Sequence, residues 1–329
     1  MEHENTLIQA ENLIKYFPHQ KGIFGTPLSY VQAVDGVSLE IQEGETLGLV
    51  GESGCGKSTL GRVMLQLIRQ SSGKILYRGQ DLSELKGELL RQMRRKIQII
   101  FQDPYASLNP RMTVFENIVS GLDAFGIGTK AEREQKVLKI MEDVGIARHL
   151  MHRYPHEFSG GQRQRMVIAR ALVLDPEFVV CDEPVSALDV SVRSQVLNLM
   201  SDLQKRYHLT YLFISHDLSV IRHISTRVAV MYLGQIVELA ETDTLFESPR
   251  HPYTQALLSA IPIPDVGSER KRQILQGDVP SPITPPQGCR FHTRCPFAEE
   301  RCRSERPQLS EIAPGHFVSC HLQGSHKAE

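Results

Sequence analysis

The segment Gly51-Glu52-Ser53-Gly54-Cys55-Gly56-Lys57-Ser58 constrains this chain more than any other, because it fits the spacing G-x-x-x-x-G-K-[ST]. Glycines let a backbone turn several N–H groups toward one anion with no Cβ in the way. The context the pattern requires is present. A short apolar run, Thr46-Leu47-Gly48-Leu49-Val50, reads as a strand before it, and Leu60, Val63, Met64, Leu67 and Ile68 recur at helical spacing after it. A helix opening there presents its positive N-terminal end to the same anion. Lys57 is then expected to reach the β- and γ-phosphates of a nucleotide and the Ser58 hydroxyl to ligate Mg²⁺, with Thr59 also among the nucleotide-binding residues.

Buried-type strands alternate with helical segments further along. Ile97-Gln98-Ile99-Ile100-Phe101 runs into Gln102, Phe178-Val179-Val180-Cys181 into Asp182-Glu183, and Tyr211-Leu212-Phe213-Ile214 into Ser215-His216-Asp217. This alternation predicts an α/β core with a parallel sheet, in which functional groups stand just past the C-terminal strand ends. Asp182 is expected to hold Mg²⁺, and Glu183, aimed differently, to activate the attacking water as a general base. The residues from Asp103 to Leu174 read as mainly helical, whereas Leu7 to Glu43 read as a strand, a Gly/Pro-bearing loop over Pro18 to Pro27, and a second strand. Prolines crowd the stretch from Pro249 to Pro314, which reads as an irregular extension.

At 329 residues, with 41% apolar and 23% charged residues, the chain has the composition of a globular protein with one large domain and appendages, or two domains. Its 37 basic and 38 acidic residues leave a formal charge of −1, which gives no electrostatic reason to expect a nucleic-acid partner. The start Met1-Glu2-His3-Glu4-Asn5 has neither a basic nor an apolar region, so no signal peptide is expected, and no apolar run is long enough to span a bilayer. Membrane association, if any, is expected through partner proteins.

The sequence Ser159-Gly160-Gly161-Gln162-Arg163-Gln164-Arg165 predicts a serine-capped helix whose first N–H groups are left open by glycines, a second anion site in one chain. It resembles the signature sequence of ABC-transporter ATPases. The resemblance implies a P-loop (RecA-like) core with a parallel sheet, an N-terminal antiparallel β subdomain, a helical subdomain over about 103–170, and an ATPase domain over 1–247 followed by an extension over 248–329. It implies that ATP is bound between two subunits packed head to tail, each signature covering the other's γ-phosphate. Gln102 resembles the Q-loop glutamine that contacts Mg²⁺ or water, Ser186-Ala187-Leu188-Asp189 the D-loop, and His216 the switch histidine at the γ-phosphate. Phe17, with Tyr16 as the alternative, matches the aromatic that stacks on adenine.

Within the family the chain is most similar to ATPase subunits of bacterial dipeptide and oligopeptide importers. The stretches that carry this are Phe101–Pro110, Arg153–Phe158 and Pro249–Thr254. The same subgroup carries nickel, glutathione and antimicrobial peptides, so these cargoes remain alternatives, and a soluble ABC ATPase is a further one. The implied partners are a second ABC ATPase subunit, expected to be a paralogue, two transmembrane permease subunits and an extracytoplasmic substrate-binding protein, with the chain at the cytoplasmic face of the inner membrane.

Cys289, Cys295, Cys302 and Cys320 crowd the end of the chain with five, six and seventeen residues between successive members, which is not a C-x-x-C zinc spacing. Some peptide-importer ATPases that the chain resembles carry a [4Fe–4S] cluster on four cysteines, so such a cluster is expected here, against zinc or free thiols. Arg290, Arg294, Arg301 and Arg303 are expected to offset thiolate charge, and His292, His316 and His321 to be surface residues.

Overall fold

The structure, a computed structural model, describes residues 5–21, 27–260, 275 and 277–326. Of the loop expected over Pro18 to Pro27, residues 18–21 continue the first strand and Pro27 opens the second, while residues 22–26 lie outside the described residues. In chain order the elements are β1 (Thr6–Lys21), β2 (Pro27–Gln42), β3 (Thr46–Val50), α1 (Lys57–Met64), β4 (Ser72–Tyr77), β5 (Gln80–Asp81), α2 (Gly87–Lys96) and β6 (Ile97–Ile100). There follow α3 (Pro104–Ser107), α4 (Val114–Phe125), α5 (Lys130–Asp143), α6 (Gly160–Leu172), β7 (Phe178–Asp182), α7 (Val190–Tyr207), β8 (Thr210–Ile214) and α8 (Leu218–Ile224). The chain ends with β9 (Arg227–Tyr232), β10 (Gln235–Glu241), α9 (Thr242–Glu247), α10 (Pro252–Ser259), α11 (Arg301–Ser304), β11 (Ser310–Ala313) and β12 (His316–Val318).

Two compact units interleave along the chain. The first draws on Met1–Leu7, Ile41–Thr46 and Glu84–Ile214. Its sheet is parallel, with β6 against β7 (Ile97 opposite Phe178) and β7 against β8 (Asp182 opposite Ile214). All five residues of β7 and all five of β8 are buried, which is why both read as unbroken apolar runs rather than alternations. Three helices here start on the same device. Thr113 with Glu116, Thr129 with Glu132 and Ser159 with Gln162 form capping boxes that satisfy otherwise orphaned N–H groups of α4, α5 and α6. Val114, Ile118 and Leu122, spaced by one helical turn, are wholly buried along α4.

The second unit draws on Ile8–Glu40, Leu47–Ser83 and Ser215–Glu329. Its antiparallel sheet runs β2-β1-β4-β5, with Ile8 opposite Tyr77. A second group of strands pairs β3 parallel with β9, then β9, β10, β12 and β11 antiparallel in turn. Here the extension expected to be irregular is partly sheet: Leu239 of β10 stands opposite Phe317 of β12, and Glu311 of β11 opposite Phe317. The two strands are four and three residues long, too short for a period-two pattern to declare itself, and it is the edge of β10 that orders them.

Candidate functional site

In the second unit, residues 51–58 turn between the end of β3 and the start of α1. The turn demands glycine at two places. Gly51 has φ +153° and an added Cβ would stand 2.1 Å from the Met231 carbonyl oxygen; Gly56 has φ +108° and its Cβ would stand 2.0 Å from that of Ala33. Lys57 is buried at the helix start, and its Nζ donates to the carbonyls of Gly51 at 2.7 Å and Glu52 at 2.9 Å. Cys55 lies beneath, its Sγ 3.8 Å from Lys57 Nζ, and burial pushes its thiol up despite the ammonium beside it. Ser53 and Gly54 are exposed, while Gly56, Ser58 and Thr59 are partly so. His216, just past the end of β8, is exposed.

In the first unit, Asp182 ends β7 and is buried, and Glu183 follows at φ +50°. That left-handed backbone costs a non-glycine residue about 1–3 kcal/mol and turns Glu183 out of line with the strand. Its N–H is held by the Ile214 carbonyl at 3.0 Å, and its carboxylate accepts from Gln102 Nε2 at 3.1 Å. Gln102 Nε2 also lies 3.4 Å from Ser186 Oγ, so the expected base, the Q-loop glutamine and the first D-loop residue are one cluster. At α6, Ser159 Oγ accepts the Gln162 N–H at 3.4 Å and Gln162 Oε1 accepts the Ser159 N–H at 3.0 Å. Gly160 borders Leu188 only at van der Waals distance, while a Cβ on Gly161 would stand 2.3 Å from Val192 Cγ1.

Of the two aromatic candidates, Tyr16 has its hydroxyl engaged: it donates to Asp35 at 2.5 Å, and burial and that carboxylate push its pKa up to about 12. Phe17 has Lys15 Nζ at 4.8 Å over its ring. Asp35 also accepts from Gln235 at 2.8 Å, Arg290 at 2.7 Å and Arg306 at 3.0 Å. Burial alone would raise its carboxyl, but these donors outweigh it and hold the group below the usual carboxylate range.

The cysteine-rich end differs from expectation. Burial first, then the neighbouring thiols, pushes Cys289 and Cys320 up to about 11. Among the described residues no group of three or more His, Cys, Asp or Glu is set to hold a metal ion. The expected iron–sulfur cluster therefore finds no support in this geometry. The arginines expected to offset thiolates are engaged elsewhere: Arg290 with Asp35, Arg294 with Glu52, Arg301 with His321 and Arg303 with Glu300. Nor are all the histidines at the surface. His316 is 3% exposed and bonds Glu238 at 2.7 Å, and His321 is 8% exposed. Carboxylates distant in sequence capture Arg290, Arg294 and His316, which no local pattern announces.

The strand–turn–helix cradle and the acidic end of a parallel strand define the class: a P-loop nucleoside triphosphatase. The ABC transporter family matches residues 34–186, and the oligopeptide/dipeptide transporter C-terminal region matches residues 237–302. The oligopeptide transport ATP-binding protein AppF of Bacillus subtilis is 53% identical over 97% of this chain and 98% of its own. The dimeric structure of MJ0796, a bacterial ABC transporter cassette, is 27% identical with a TM-score of 0.63, covering 72% of this chain and 99% of that one. A post-hydrolysis structure of the same cassette, bound to ADP and Pi, matches at 26% identity and the same TM-score of 0.63 over 72% of this chain and 99% of that one. This chain belongs to the ABC transporter ATP-binding family, in the branch that carries the oligopeptide/dipeptide transporter C-terminal region. Among the described residues no helix is long and apolar enough to cross a membrane.

Proposed function

We propose that the chain is the ATP-hydrolysing motor of an importer for dipeptides or oligopeptides. The observation that carries this is the pairing of a complete cassette with the oligopeptide/dipeptide transporter C-terminal region, at 53% identity to an oligopeptide transport ATP-binding protein across nearly the whole chain. In this reading residues 1–247 form the ATPase domain, with its helical part at about 103–170, and residues 248–329 the importer-type extension. Two ATPase chains, this one and a paralogue, close on ATP and drive two transmembrane permease subunits. A substrate-binding protein on the far side delivers the cargo, and the motor sits at the cytoplasmic face of the inner membrane.

The residues take separate parts. Phe17 stacks on adenine. The N–H groups of Gly51 and residues 53–59 and the Lys57 ammonium hold the phosphates, and Ser159, Gly160, Gly161 and Gln162 present the start of α6 to the nucleotide of the partner. Hydroxyl, carboxylate and amide oxygens of Ser58, Asp182 and Gln102 are the hard donors Mg²⁺ prefers, and the ion would supply charge neutralisation at the phosphates. Glu183 removes the proton of the attacking water, and His216 and Gln102 orient that water. A [4Fe–4S] cluster on Cys289, Cys295, Cys302 and Cys320 is supported only by the presence of four cysteines in the extension; an iron-free, colourless chain after purification without oxygen would dismiss it.

Glu183→Gln is the test of the motor. It should retain ATP and trap the closed pair while turnover falls about 10²–10⁴-fold, equal to about 3–5 kcal/mol of barrier. Unchanged steady-state hydrolysis would remove Glu183 from the role. For cargo, ATPase of the reconstituted transporter should rise with added di- and oligopeptides; stimulation by nickel or glutathione alone would redirect the assignment.

A further inference from the structure

Glu52 occupies the second position of the phosphate loop, where the scheme above gives its side chain nothing to do. The second unit nevertheless holds it at four points. Its N–H donates to the Tyr253 hydroxyl at 2.9 Å, its carbonyl accepts from Lys57 Nζ at 2.9 Å, and its two carboxylate oxygens take Arg294 at 2.7 and 3.1 Å. The Arg294 side chain is 7% exposed and that of Glu52 25%. Tyr253, at 0% exposure, is wedged between Tyr232 at 4.7 Å and Phe291 at 5.5 Å, centroid to centroid. Both gripping residues follow the cassette, 201 and 242 positions along the chain from Glu52.

A phosphate cradle depends on where its N–H groups aim. A two-pronged arginine–carboxylate pair fixes orientation as well as distance, which a single bond does not. The Tyr253 hydroxyl removes the Glu52 N–H from the groups free to face an anion. A carboxylate in a triphosphate-binding loop also repels its ligand unless a cation cancels it, and Arg294 is the cation in contact.

Granting residues 51–58 the nucleotide role proposed above, we propose that Arg294 and Tyr253 are positioning residues for the phosphate loop. Through Glu52 the C-terminal extension sets both the loop's orientation and its charge, and so its affinity for nucleoside triphosphate.

The measurement is the Kd of the full chain for a fluorescent ribose-labelled ATP, with kcat and KM from phosphate release. Arg294→Ala should raise Kd about tenfold, about 1.4 kcal/mol, while kcat at saturating ATP stays within about twofold. Adding Glu52→Gln to it should bring Kd back to within about threefold of the parent, since the repelling charge is gone. A double variant as weak as Arg294→Ala, or a loss of kcat with Kd unchanged, overturns the proposal. Should Arg294→Ala fail to fold by circular dichroism, Arg294→Lys carries the test, with a Kd about threefold above the parent expected and an equal Kd overturning it. A parent chain that binds no labelled ATP defeats the nucleotide reading itself, a result distinct from any of these.

Discussion

Glu238 is a carboxylate with no exposed surface, and its partners keep it charged. His316 reaches it at 2.7 Å, and the N–H groups of Arg250 and His251 donate at 2.7 and 2.9 Å. Burial pulls its pKa up, but these donors and Thr254 outweigh it and leave the group below the ordinary carboxylate range. His251 beside it caps α10 by accepting the Tyr253 N–H on Nδ1 at 3.1 Å, and burial pushes its imidazole from 6.5 down to about 4. Between those values the unfolded chain binds a proton that the folded chain refuses, so stability falls as pH drops from about 6.5 toward 4, by up to about 3 kcal/mol. Urea midpoints across that window should fall in the parent and flatten in His251→Asn, which keeps a capping oxygen. An equal slope in both would assign the acid sensitivity elsewhere. Lys57, Asp182, Glu183 and Ser159 were legible in the sequence because each stands beside its own strand or helix boundary. Glu52 and Asp35 were not, because Arg294 lies 242 positions from one and Arg290 255 from the other.

The helices of the first unit add a contrast that residue types alone only half disclosed. Its capping boxes at α4 and α5 close with Glu116 and Glu132, whereas α6 closes with the neutral Gln162. A carboxylate at the third helical position stabilises a helix start but also neutralises its positive end. An amide satisfies the same N–H group and leaves that end open to an anion. Gln162→Glu should therefore raise the stability of the chain by about 0.3–1 kcal/mol and slow hydrolysis in the assembled transporter. Unaltered turnover at raised Tm would separate the start of α6 from the nucleotide. At this scale the strands β3, β7 and β8 were plain in the sequence as buried apolar runs. The hairpin of β11 and β12 was hidden, because strands of three or four residues acquire their geometry only from a neighbour.

Across the whole molecule, the residues assigned to the nucleotide divide by unit. Residues 51–59, Phe17 and His216 belong to one, and Gln102, Ser159–Gln162, Asp182 and Glu183 to the other. The sequence could not show this division, since each unit is assembled from separated stretches of chain. The pairing of β10 with β12 reaches further. Cut after Glu247, the chain would lose the partner strand of β10, together with His316 and the N–H groups of Arg250 and His251 that satisfy Glu238. A buried charge would be stranded beside an open strand edge, two recognised routes to aggregation. Such a fragment should pellet where the full chain stays in solution; a soluble, monodisperse fragment with parental ATP affinity would contradict this. For anyone building chimeras between transporter motors, the seam after residue 247 is thus a poor place to splice: a foreign tail must bring its own replacement for the wall it removes.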